Sequence, residues 1–112
     1  MENKEQSFPI DLPAEEIAVF CKKWKIQELA FFGSVIRDDF GPDSDVDVLV
    51  TFSPTAQWTL LDHVSAQMEL SDLLGRKVDL LTRRAVENSH NEIRRGMILG
   101  EAKVYYSNEK AA

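Results

Sequence analysis

With one cysteine, Cys21, in 112 residues, the chain can form no intramolecular disulfide and offers no cluster of thiolates for a metal. Long uncharged stretches are also missing. The longest, between Asp47 and Asp62, is fourteen residues and includes Ser, Thr, Gln and Pro, too short and too polar to cross a bilayer. Positive charge is scarce: 13 Lys and Arg stand against 19 Asp and Glu, a net charge of −6 with a pI near 4.8. The chain as a whole has no attraction for polyanions, so neither stable non-specific nucleic-acid binding nor membrane binding is expected. The opening Met-Glu-Asn-Lys-Glu-Gln lacks the basic-then-apolar pattern of a signal peptide, and with the lone cysteine this points to a cytoplasmic protein. No internal repeat or low-complexity segment is present.

What remains is 12.7 kDa with 44% hydrophobic residues, enough for a single domain with its own core. The first fifty residues hold eleven acids and five bases, the other sixty-two hold eight of each, so the negative charge is concentrated in the first half.

The chain reads as alternating elements. Residues 1–10 form a polar arm, and a single domain is expected over 11–107 with a tail at 108–112. Pro13 at a first helical position, with Glu15 and Glu16 behind it, starts a helix to about Lys25. Ile17, Phe20, Cys21 and Trp24 share one face of it, which makes Cys21 and Trp24 core residues. Leu29 to Phe32 reads as a buried strand ending at Gly33, followed by a short helical turn over 34–40. Val46 to Phe52 is β-branched and strand-like. Trp58 to Leu74 is a longer helix with Leu61, Val64 and Met68 on one side, capped by Gly75. Lys77 to Thr82 is a third strand. Ser89 to Glu92 matches a capping box opening a helix to about Leu99, with Gly100 beyond it, and Lys103 to Ser107 is a fourth strand. This order describes an α+β chain of α/β-like alternation, a sheet with helices packed on it.

The chemistry is concentrated in Phe31 to Val50. If Val46, Val48 and Val50 face the core, Asp45 and Asp47 must both point from the opposite side. Like charges so placed oppose each other's ionisation unless a cation joins them, and hard oxygen ligands suit Mg²⁺ or Mn²⁺. Val78 and Leu80 leave Asp79 in the same position on another strand. Three such carboxylates can hold two divalent ions about 3.5–4 Å apart for in-line phosphoryl transfer. Gly33-Ser34 supplies an anion site, since glycine permits close approach and the turn presents amides and a hydroxyl to phosphate. Arg37, three residues on, could neutralise a phosphate oxygen from the same side.

Gly33-Ser34, then Asp45-Val46-Asp47 ten residues later, then Val78-Asp79-Leu80 resemble the signature of the minimal nucleotidyltransferases of the DNA polymerase β-like superfamily. The close match covers residues 31–50 and 75–82, and elsewhere it is one of element order and size. The resemblance implies the nucleotidyltransferase fold, a small mixed sheet of about four strands flanked by helices, and transfer of AMP from ATP to an acceptor hydroxyl. Asp45 and Asp47 would bind Mg²⁺, two ions or Mn²⁺ in their place. Asp79 would bind one metal and help deprotonate the acceptor, and Gly33 and Ser34 would hold the triphosphate. Short members of the family resemble antitoxins paired with HEPN ribonuclease toxins, which implies a HEPN toxin as partner. The chain lacks the extra helical domain of larger relatives, so a partner or second subunit, in a homo- or hetero-oligomer, would complete the site. Two other functions fit the same residues: an antitoxin acting by binding alone, and the catalytic subunit of a small-molecule nucleotidyltransferase.

Ordinary structural roles compete at several positions. Asp43, Asp45 and Asp47 resemble the start of an EF-hand loop, but Val48 stands where that loop needs Gly and Pro54 where it needs Glu. Asp45, Asp47 and Asp79 could be solvated acids, and Arg37 a surface ion-pair partner of Asp38 or Asp39. His63 and His90 have no metal-ligand spacing and read as structural or exposed. Trp58 could stack on a base but fits core packing better. Arg76, Lys77, Arg83, Arg84, Arg94 and Arg95 read as solvated bases, with docking of an acidic partner or RNA the other use. No Walker loop and no Gly-x-Gly-x-x-Gly occurs.

Overall fold

A computed structural model describes residues 12–36, 41 and 43–108. Arg37 and the expected arm lie outside the described residues. Helix α1 (Ala14–Lys23) leads into β1 (Ile26–Phe32), which ends in a 3₁₀ turn, Gly33–Ile36. Then come β2 (Val46–Phe52), α2 (Leu60–Leu74), β3 (Val78–Thr82), α3 (Arg83–Glu87), α4 (Glu92–Glu101) and β4 (Lys103–Ser107). The strands form one mixed sheet ordered β3-β2-β1-β4, with β2 and β3 parallel and the other two pairs antiparallel. Parallel neighbours need a long crossover, and α2 is that crossover.

The apolar pattern assigns the faces. Val46, Val48 and Val50 are fully buried with Leu29, Phe31, Val78 and Leu80 beneath α1 and α2, whose Ile17, Phe20, Cys21, Ala66 and Leu70 complete the layer. Ala30, Phe32 and Leu49 point the other way, against Val86 of α3 and Ile98 of α4. Central β1 is covered on both sides, which is why its second half reads as an unbroken apolar run. Burial pushes the Cys21 thiol up to about 12, so it is a core side chain at neutral pH.

Four expectations are corrected. The helix expected from Trp58 begins at Leu60, with Thr59 and Asp62 forming a reciprocal capping box. Its stripe of Leu61, Val64 and Met68 faces solvent, Leu61 being 77% exposed, because Ala66 and Leu70 form the buried side. Ser89 does not cap α4. Asn91 does, its Oδ1 accepting from the Arg94 amide at 3.0 Å, while Ser89 Oγ accepts from the Asn91 amide. Gly100 does not end that helix, which runs through Glu101 and stops only where Ala102 turns extended. The short helix α3 has no expected counterpart. Its signal was Thr82, whose hydroxyl accepts from the Ala85 amide as the N-cap.

The bare edge of β3 is occupied by side chains one helical turn apart on α2. His63 Nε2 meets the Leu80 carbonyl at 2.8 Å, Gln67 Oε1 accepts from the Leu80 amide at 2.8 Å, and Ser71 Oγ accepts from the Val78 amide at 3.0 Å. These bonds satisfy backbone groups that a sheet edge otherwise leaves open to another strand. His63 therefore has the structural role expected for it, and His90 is exposed.

Candidate active site

The candidate residues meet where β1 ends and β2 and β3 begin. In β2, Val46 and Val48 occupy the core, so Asp47 between them projects from the face that α3 and α4 partly cover. Asp45 precedes the strand by one residue and is exposed. In β3, Asp79 sits exposed between buried Val78 and Leu80. The parallel register pairs Asp47 directly with Asp79, and the antiparallel register pairs Asp47 with Phe32, the residue before Gly33. Residues about thirty positions apart in sequence thus become lateral neighbours.

Gly33 has φ +77°, a conformation that side chains resist, and it packs against the acid opposite. A methyl group built on it would overlap the Asp47 carboxylate, lying 3.1 Å from Cγ and 3.4 Å from Cβ. No other residue type lets the turn come this close to Asp47. Ser34, partly buried, follows in the 3₁₀ turn.

Arg76, read as a solvated base, and Glu101, which the sequence did not single out, serve this region. Arg76 Nη1 donates to the carbonyls of Gly41 at 3.1 Å and Ser44 at 3.2 Å. Ser44 Oγ accepts from the Gly41 amide, and the Ser44 amide donates to the Gly41 carbonyl, so the segment delivering Asp45 is closed and clamped. Glu101, at the end of α4, accepts from the Gly33 amide through Oε1 at 3.1 Å. Sequence spacing carried no sign of either contact: the pairs are 32 to 68 residues apart.

The donor set fits a hard divalent cation, being carboxylate oxygens at registered positions of adjacent strands beside the Gly33 turn. Among the described residues, no three His, Cys, Asp or Glu side chains already converge on one point. The backbone sets the acids on a common face; a cation would gather their side chains. A cleft of about 540 Å³ opens at the other end of the strands, lined by Thr51, Trp58, His63, Thr82 and Arg84 among others, and holds none of the candidate residues. Trp58 there packs edge-on to Trp24 at 5.3 Å and donates its indole N–H to the Trp24 carbonyl at 2.7 Å, the structural role expected of it.

Residues 15–102 match the nucleotidyltransferase domain family, and the chain belongs to that family. A Methanocaldococcus jannaschii protein named "Putative protein adenylyltransferase MJ0128" is 35% identical over 80 residues, 71% of this chain and 80% of the relative. A crystal structure of a toxin–antitoxin with AMP-PNP superposes with a TM-score of 0.67 at 19% identity, covering 89% of this chain and 77% of that one. A complex of a tri-AMPylated Shewanella oneidensis HEPN toxin with an MNT antitoxin gives 0.59 at 18% identity, covering 87% and 71%. At such identities the structural likeness establishes the nucleotidyltransferase fold.

Proposed function

We propose that this chain transfers AMP from ATP to a hydroxyl of a partner protein, a HEPN-class toxin that it thereby neutralises. The observation that carries this reading is the registered pair Asp47 and Asp79 with Gly33 packed on Asp47, which sets carboxylates and an anion-binding turn side by side. The name of the Methanocaldococcus relative and the AMPylated toxin bound to the Shewanella antitoxin support the choice of a protein acceptor.

In this reading Asp45, Asp47 and Asp79 would hold divalent cations, Mg²⁺ or Mn²⁺, which when bound neutralise the triphosphate and make the acceptor hydroxyl easier to ionise. Gly33, by letting the chain approach closely, and Ser34, through its hydroxyl and its own backbone amide, hold the triphosphate oxygens and so fix the line of attack. Asp79, exposed on the strand beside Asp47, takes the proton of the acceptor hydroxyl. The acceptor oxygen bonds to the α-phosphorus as the bond to the bridging oxygen breaks. Pyrophosphate leaves, and AMP stays on the acceptor.

The test pairs two readouts. With labelled ATP, Mg²⁺ and a HEPN toxin, wild-type protein should label the toxin, and Asp47→Asn should lower the rate at least a hundredfold, about 2.7 kcal/mol in barrier. Mg-ATP should raise the melting temperature of wild type and hardly that of the variant. Equal ligand-induced shifts in the two proteins would remove Asp47 from the metal site.

A further inference from the structure

We propose that Glu101 is a positioning residue of the nucleotide turn: its carboxylate anchors the Gly33 amide and holds the turn against Asp47, without itself touching nucleotide. The inference rests on the functional reading above and extends it to a residue outside the signature.

The sheet register shows what the carboxylate replaces. Strand β4 pairs antiparallel with β1, with Phe31 opposite Lys103. Two residues further along β1 stands Gly33, and two residues before Lys103 stands Glu101, so the register would make them partners. By then the chain has left the sheet for α4, which ends at Glu101, and no strand remains to accept from Gly33. The Glu101 side chain supplies the acceptor instead, at 3.1 Å. Without it, this amide at the inner end of the strand would lose a bond that buried backbone groups normally keep.

The location of Glu101 speaks for a specific task. The last turn of a helix is the negative end of its dipole, where a carboxylate is disfavoured, and the last turn of α4 itself contains no basic residue. Bonding to a backbone N–H compensates such a carboxylate. Meanwhile Ile98, buried three residues earlier against Phe32 and Leu49, fixes the helix from which Glu101 reaches. The turn needs this support, because Gly33 is the most permissive residue type and sits at φ +77°. An anchored amide limits the conformations it can sample. Ser34 and Asp47, on either side of the anchor, then keep the spacing that a triphosphate and its cation require.

The experiment compares Glu101→Gln, which keeps an oxygen acceptor of the same reach, with Glu101→Ala, which removes it. Affinity for Mg-ATP is measured by calorimetry alongside melting temperature and exchange of the Gly33 amide by NMR. Glu101→Ala should weaken Mg-ATP binding about three- to tenfold, the equivalent of one hydrogen bond, and speed exchange at Gly33. Glu101→Gln should restore both to within about twofold of wild type. A lower melting temperature in Glu101→Ala with unchanged Mg-ATP affinity would overturn the proposal in favour of a purely structural role. Tighter Mg-ATP binding in Glu101→Ala would overturn it too, since the carboxylate would then be competing with phosphate for the amide. Failure of Glu101→Gln to rescue would show that charge and not the bond matters, again against it. Wild-type protein that binds no Mg-ATP while its Gly33 amide stays protected would overturn the nucleotide reading itself, an outcome distinct from the other three.

Discussion

The two faces of the sheet are stabilised very differently. Beneath α1 and α2, fifteen described residues form one continuous buried cluster; beneath α3 and α4 the cluster has five. The same strands serve both, because alternation sends Val46, Val48 and Val50 one way and Asp47 and Leu49 the other. The first face supplies most of the buried apolar area and hence most of the stability. The second can therefore leave carboxylates uncovered at its open end, held in place by strands whose positions the first face has already fixed. Fold and site are separated by the pleat of a strand.

The largest effects should break this comparison cleanly. Phe20→Ala, in the large cluster, should destabilise the protein by about 3–5 kcal/mol, measured by chemical denaturation. Asp79→Asn, on the other face, should leave the denaturation midpoint at or slightly above that of wild type while AMP transfer falls by about a hundredfold or more. A large loss of stability in Asp79→Asn would show that the second face is structural after all.

An intermediate effect is expected at the clamp. Arg76→Ala frees the carbonyls of Gly41 and Ser44, so transfer should drop about tenfold through misplacement of Asp45, with a stability loss of about 1 kcal/mol. Transfer at wild-type rate would show that the loop before β2 holds its shape unaided. On the α2 side, Gln67→Ala should cost about 1 kcal/mol by leaving the Leu80 amide without its acceptor, and transfer per folded molecule should not change.

The smallest effect concerns pH. Burial alone would push the Glu69 carboxyl up, but bonds from the Lys23 ammonium at 2.9 Å and the Trp24 indole at 3.1 Å outweigh it and hold the group below its ordinary value. A lowered carboxyl stabilises the fold above its unfolded value, and the contribution disappears as pH falls through the folded one. The α1–α2 contact should therefore weaken in acid, only slightly because the pair is largely solvated. Glu69→Gln should flatten the acid side of a stability–pH curve while leaving neutral transfer intact. An unchanged curve would mean that the pair adds nothing to the larger face.

Much of this was legible in residue order. Apolar residues on either side of Asp47 (Val46, Val48) and of Asp79 (Val78, Leu80) dictate a buried and an open side whatever the rest of the chain does, because strand side chains alternate with period two. The face of α1 followed in the same way from Ile17, Phe20, Cys21 and Trp24, all buried. For α2 the same reasoning failed. Its Leu61, Val64 and Met68 are apolar at helical spacing, yet the buried side belongs to Ala66 and Leu70, while His63, Gln67 and Ser71 dress the edge of β3. A helix with apolar residues on more than one side does not reveal which of them meets the sheet, and polar residues that bond a strand edge look like solvated ones.

Alternation within one strand by itself determined that Asp47 points away from Val46 and Val48, and glycine's freedom at φ > 0 determined that Gly33 could end β1 in a tight turn; both are local consequences of backbone geometry. Only the tertiary structure decided that Asp79 lies opposite Asp47, that Arg76 reaches Gly41 and Ser44, and that Glu101 replaces a missing strand at Gly33. Those relations join segments as many as 68 residues apart. They depend on strand order, on crossover through α2 and on where α4 stops. No pairwise spacing encodes these, because each is set by how the whole apolar pattern packs at once.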